Sequence, residues 1–280
     1  MAKRFGVGCA VLSNCVTGTL MRAVCDTMWA DFPLTRQLNS HTGDQERHTM
    51  SDQSTTKPEL SATMRDYLAE IYRLSERHPD ENGYVGTSAL ADLLNVSAPA
   101  VNRMVTKLKD HGLLHHEPYQ GIMLTDAGKT EALIQLRKHR IAESFLTHVM
   151  GFGWDEIYEE AHAMSTALSE AITQRMLDMS ENPTTCPHGE PIPNADGTVH
   201  EIDDTLLTEV EAEHTYVVTR VLTRESDRLN YIGALGLMPD ADLHVIHKAP
   251  FNGPMQLKLG EEYRIIGHNL AELIRVKRKS

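Results

Sequence analysis

Apolar residues recur at three- and four-residue spacing from Ser61 to about Met179, and after about Glu211 the period changes to two. The first regime predicts helices and the second predicts short strands. Between them Glu181 to Glu211 is rich in Pro, Asn, Asp and Gly and reads as a linker. Met64, Leu68, Ile71, Tyr72 and Leu74 form the apolar face of a first helix over Ser61–His78, and Pro79–Gly86 reads as a loop. Leu90, Leu93 and Leu94 mark a second helix over Thr87–Leu94, and Asn95-Val96 makes a turn. Val101, Met104, Val105 and Leu108 mark a third helix over Ala98–His111. Ser97 suits its N-cap, Pro99 suits its first turn, and Gly112 suits its end. Leu113–Glu117 and Ile122–Leu124 then alternate as two strands around Tyr119-Gln120-Gly121.

Helix, tight turn, helix and hairpin make a winged helix-turn-helix, which points to double-stranded DNA as partner. A helix fits the major groove, its N-terminal residues reach base edges, and basic side chains hold phosphates. The expected contacts are Ser97, Pro99, Asn102, Arg103 and Lys107, with Lys109 and Lys129 as further cations.

Asp126 is expected to cap a long helix to Met150, carrying Leu133, Leu136, Ile141, Phe145 and Leu146 on its buried face. Gly151-Phe-Gly153 breaks it, and Trp154–Met179 continues as helix. These two stretches are the expected homodimer seam, since such readers pair to match two half-sites. Beyond the linker, Tyr216–Leu222, Leu243–Ile246, Met255–Leu259, Tyr263–Ile266 and Ile274–Val276 read as strands. A short helix over Ser226–Leu235 and a turn at Phe251–Pro254 complete a small barrel. The expected fold class is mainly α with a small β-barrel. Its domains are a disordered extension (1–60, with Met50 as an alternative start), a winged helix-turn-helix (61–125), a helical dimerisation and metal-binding domain (126–180), a linker (181–212) and the β domain (213–280).

Charge first argues against DNA, because the 280 residues carry a net −12. Its distribution reverses that impression. Residues 61–140 hold 10 cations and 10 anions, whereas residues 141–280 hold 11 and 23, so the reader is neutral and free to carry one basic face. No apolar run approaches the roughly 18 residues of a membrane span. Four cysteines, three of them in the first 25 residues, are too sparse for a disulfide framework and suggest a reducing, cytoplasmic setting. A signal peptide is the rival view of the N-terminus, but its apolar stretch is broken by Ser13, Asn14 and Thr17.

His139 and Glu143 stand four apart on the long helix, a spacing that puts imidazole and carboxylate on one face. Asp66 lies on the first helix, His162 on the Trp154 stretch, and Cys186 and His188 in Cys-Pro-His-Gly. Gathered together, such groups would suit Mn²⁺, Fe²⁺ or Zn²⁺. No nucleophile–base pair or cofactor loop is present, so an enzyme is not expected.

Five segments together resemble the metal-dependent repressors of the diphtheria toxin repressor and manganese transport regulator type. They are Met64–Tyr72, Val96–Val101, Arg137–Glu143, Leu168–Glu170 and Cys186–Pro193. The resemblance spans Ser61 to about Val276. It implies a winged helix-turn-helix, a helical dimerisation domain, an SH3-like domain of the FeoA kind, and a cytoplasmic homodimer that binds palindromic operators when Mn²⁺ or Fe²⁺ is present. It puts His139 and Glu143 in an ancillary metal site; it does not identify the β domain's ligand there, for which Glu225 is the candidate, with Asp227 next. It also puts Asp66, His162 and Cys186 at primary-site positions, and Ser97, Pro99 and Arg103 at DNA contacts. An aspartate at position 66 matches the manganese type, and its hard carboxylate favours Mn²⁺. The chain departs from the family at Ser165 and Thr166, where two usual ligands are absent, and at Tyr158 and Ala69. The expected function is thus a Mn²⁺- or Fe²⁺-dependent repressor of metal transport and homeostasis. The alternative is a metal-independent winged-helix regulator sensing a small ligand through its C-terminal half.

Overall fold

The computed structural model describes residues 60–77 and 83–279. The expected N-terminal extension, its alternative start and its three cysteines lie outside the described residues. Helix α1 (Ala62–Arg77) opens the reader. It packs with α2 (Thr87–Leu94) and α3 (Ala98–Asp110) around Leu68, Ile71, Leu90, Val101, Val105 and Leu108. Asn95 takes a left-handed conformation (φ 50°) and turns the chain between α2 and α3. The wing is β1 (Leu114–Glu117) against β2 (Gly121–Leu124), antiparallel, with Val85 bridging Ile122 from the other side. That approach needs a glycine at 121, because a Cβ there would lie 2.4 Å from the Val85 carbonyl oxygen.

Several local expectations change. Ser97 holds the N-cap position, yet its side chain makes no capping hydrogen bond. Leu93 is exposed, because the eight-residue α2 buries only Leu90 and Ala91. The cap of helix α4 (Asp126–His148) is Thr125 rather than Asp126, its Oγ1 accepting from Gly128 N at 3.1 Å. The Trp154–Met179 stretch is two helices, α5 (Ile157–Ser165) and α6 (Glu170–Met179). Ser169 restarts the chain by accepting a hydrogen bond from Ile172 N. Helices α4, α5 and α6 share a core of Ile141, Ala142, Leu146, Ile157, Ala161 and Met176.

The linker is ordered and holds the short β3 (Thr205–Leu206). The β domain follows as β4 (His214–Val221), α7 (Ser226–Ala234), β5 (Asp242–Lys248), β6 (Met255–Leu259), β7 (Glu262–Ile266), α8 (His268–Ala271) and β8 (Ile274–Arg278). The sheet is antiparallel, in the order β3-β8-β4-β5-β6-β7, with irregularities at Val218/Arg220 and Val245/His247 that bend it over its core. β3 and β7 are its two ends, so hydrogen bonds do not close it into a barrel.

Candidate metal centre and nucleic-acid interface

Two arginines on α4 place the metal-loop residues. Arg137 donates to the Pro193 carbonyl (2.8 Å), and Arg140 donates to the Pro191 carbonyl (2.7 Å) and to Glu190 (3.2 Å). The loop between them is a tight turn. Gly189 N bonds the Cys186 carbonyl, Cys186 N bonds the Glu190 carbonyl, and Gly189 sits at φ 84°. Gly189 also lies against β4, where a Cβ would come within 1.9 Å of the Thr219 carbonyl oxygen. The turn aims the Cys186 thiol and the His188 imidazole at Glu143, and the ligand atoms of all three lie within 4.8 Å of one another, buried.

Hydrogen bonds set the charge state of this cluster. His188 Nε2 lies 2.9 Å from the Trp154 carbonyl, which can only accept, so that nitrogen carries the proton. Nδ1 is therefore the nitrogen that faces the Glu143 carboxylate, at 3.4 Å, and the one placed to ligate a metal. His188 Nδ1 and Glu143 Oε2 are both buried without a hydrogen-bond partner. Burial works against the Glu143 charge, but the His188 and His139 imidazoles outweigh it and hold its carboxyl well below the usual range. Burial, reinforced by the Glu143 and Glu190 carboxylates, pushes the Cys186 thiol well up. An orphaned imidazole nitrogen, an orphaned carboxylate oxygen and a thiol fit a divalent transition metal. His139 Nε2 lies 3.2 Å from Glu143 Oε1, so it braces the carboxylate from outside the three-donor cluster, and burial keeps its ring neutral.

A second group forms where α1 meets α5, around a cavity of 230 Å³. Asp66 Oδ2 and His162 Nε2 come to 4.0 Å. Ser165, at one of the positions where a usual family ligand is absent, is buried and accepts from Gln135 at 3.5 Å, and Gln135 also donates to Asp66 at 3.3 Å. Glu225 does not join either group. It is exposed and pairs with Arg228 at 2.7 Å. Its neighbour Arg224 turns inward instead and donates to Glu190 at 2.6 Å. Arg73 and Arg224 lie 5.9 and 5.8 Å from the Tyr158 ring centroid, and burial raises the Tyr158 phenol to about 12. His188, a candidate donor from Cys-Pro-His-Gly that the resemblance did not assign to a site, joins the cluster. The sequence reading omitted Arg140, Glu190 and Arg224, for which no sequence spacing gives a sign.

On the reader, α3 buries one face and exposes Ser97, Pro99, Asn102, Arg103, Thr106 and Lys107. Among the described residues, no hydrogen bond or ion pair engages the side chains of Ser97, Asn102, Arg103 or Lys107. Four of the five expected contacts are therefore unengaged donors exposed on α3 or at its start, and Pro99, which has no donor, is exposed among them.

The sequence falls into three matched segments. Residues 59–122 match the iron dependent repressor N-terminal DNA binding domain, and residues 125–194 its metal binding and dimerisation domain. Residues 205–278 match the FeoA domain. The iron-dependent repressor IdeR of Mycobacterium tuberculosis is 31% identical over 233 residues, covering 79% of this chain and 99% of the relative. The chain belongs to the iron-dependent repressor family. Among solved structures this family member resembles a manganese-dependent transcriptional repressor in complex with manganese (TM-score 0.72, 30% identity, covering 77% of this chain and 100% of that one). It also resembles ScaR with bound Zn²⁺ (TM-score 0.67, 28% identity, covering 77% and 99%).

Proposed function

We propose that this chain is a metal-dependent transcriptional repressor. Glu143, Cys186 and His188 would hold its divalent ion, and α3 would read an operator in duplex DNA. The observation that carries this reading is the pair of buried ligand atoms, His188 Nδ1 and Glu143 Oε2, left without a hydrogen-bond partner beside the Cys186 thiol. The ion supplies positive charge to a carboxylate and a thiolate that are otherwise costly to bury. Glu143 lies on the dimerisation helix α4, while the Cys186–His188 turn is tied to β4 by Val221 N bonding the His188 carbonyl at 2.9 Å. Loading would therefore draw the helical domain and the FeoA domain together, with Trp154 holding His188 between them. A hundredfold preference for the drawn-together state is roughly 2.7 kcal/mol of bias.

The metal follows from the donors. Thiolate and imidazole are softer than carboxylate, and divalent affinity rises from Mn²⁺ to Fe²⁺ at most sites. This cluster therefore favours Fe²⁺ over Mn²⁺, whereas the preference for Mn²⁺ rests on Asp66 in the second group. The pairing surface is the helical domain, where Val149, Met150, Phe152, Ile172 and Met179 are exposed. A homodimer would present two α3 helices to successive major grooves of a palindromic operator. Such a protein works in the cytoplasm, and among the described residues no helix is long and apolar enough to cross a membrane. The test is fluorescence anisotropy on duplexes selected from a random pool, titrated with Fe²⁺ or Mn²⁺ and then with chelator. Metal is expected to tighten binding at least tenfold and chelator to reverse it. Equal affinity with and without metal would overturn the reading.

A further inference from the structure

Resting on the reading of α3 as the operator-binding helix, we infer that Arg103 reads a guanine in each half-site and is the base-discriminating residue of this repressor. The buried side of α3 is set by Val101, Val105 and Leu108, with Met104 partly buried beside them. At 3.6 residues per turn, the stripe opposite them runs through Pro99, Arg103, Thr106 and Asp110. Only one of these four can donate to a base edge with a free group. Pro99 has no donor. The Thr106 hydroxyl is engaged with the Asn102 carbonyl at 2.9 Å. Asp110 is an anion in the last turn, where the helix leaves the groove.

Arg103 sits one turn in from the N-terminus, where recognition helices meet base edges. It is exposed and, among the described residues, without a hydrogen bond or ion pair. Lys107 flanks the stripe on one side, and Asn102 with Lys109 on the other. This arrangement puts cations toward the two phosphate walls and the guanidinium toward the floor. A guanidinium's fixed fork matches the O6 and N7 acceptors of guanine, which no other base offers in that pair. The flanking lysines act on phosphates and carry no sequence information.

The experiment starts from duplexes selected on the metal-loaded wild-type protein. Each guanine of the half-site is replaced in turn by 7-deazaguanine, which removes N7 and leaves base pairing intact. One replacement is expected to weaken wild-type binding roughly five- to 150-fold. The same replacement should have no effect on Arg103→Ala, which remains folded because the side chain is exposed. Arg103→Lys keeps the charge and should still lose the guanine preference. Lys107→Ala should weaken all duplexes alike and lower the salt slope by about one. The inference is overturned if selected half-sites contain no guanine, if wild type tolerates every 7-deazaguanine, or if Arg103→Ala keeps the same discrimination. In those cases metal-dependent binding still stands, whereas a protein that binds no duplex at any metal level loses both readings.

Discussion

Cys186 and His188 show how a two-residue spacing becomes chemistry only through its backbone. The turn at Gly189 brings thiol and imidazole to one side, and the Trp154 carbonyl decides which ring nitrogen faces Glu143. Because burial keeps the Cys186 thiol protonated at neutral pH, loading an ion must release that proton. Metal affinity is therefore expected to rise with pH, by up to about tenfold per unit. Cys186→Ser should weaken binding and flatten that slope, as calorimetric titration at pH 6, 7 and 8 would measure. An unchanged slope would mean the thiol is no ligand. His139 and Glu143 were legible from their helical spacing alone, since both lie on α4. Glu225 lies outside both groups, because the inward position goes to its neighbour Arg224, which the buried Glu190 carboxylate draws in.

Elements were read well where one face is deeply buried and less well where a helix is short. Helix α1 was expected over Ser61–His78 and occurs at Ala62–Arg77, because Leu68 and Ile71 have no exposed surface. The break between α5 and α6 was missed. The apolar spacing runs on across Ser165–Ser169, and only the Ser169 cap and the packing against α4 show where the chain bends. The two-helix answer also decides which residues stay outside. Ile172 and Met179, seven apart on α6, are about half exposed on the same side. If they form the dimer seam, Ile172→Asp should shift the protein toward monomer in sedimentation velocity and reduce operator affinity, leaving the circular dichroism spectrum unchanged. A dimer that persists at low micromolar concentration would move the seam elsewhere.

Across the whole molecule, buried ion pairs join segments far apart in sequence. Glu190 is held by Arg224 and Arg140, and Asp204 by Arg220 (2.8 Å) and Arg275 (2.6 Å). Burial opposes both charges, yet the arginines prevail and hold both carboxyls below their ordinary values of 4.5 and 3.8. A depressed folded-state value contributes stability that is complete above the unfolded value and lost as pH falls through the folded one. Melting temperature is thus expected to drop steadily below about pH 4. Asp204→Asn should be less stable at neutral pH, by about 3–5 kcal/mol, and show a shallower acid slope. An acid slope equal to wild type would assign the loss to other carboxylates. The sequence by itself determined the winged reader, its exposed donors, the helical and β domains and the His139–Glu143 pair, because periodicity and capping are local and act within a few residues. Only the tertiary structure decided that Glu143 meets Cys186 and His188, that Asp66 and His162 form a separate group, and that Arg224 rather than Glu225 turns inward. Those outcomes depend on which polar and charged groups find partners across roughly 35 to 95 residues of chain, and no local pattern encodes that distance.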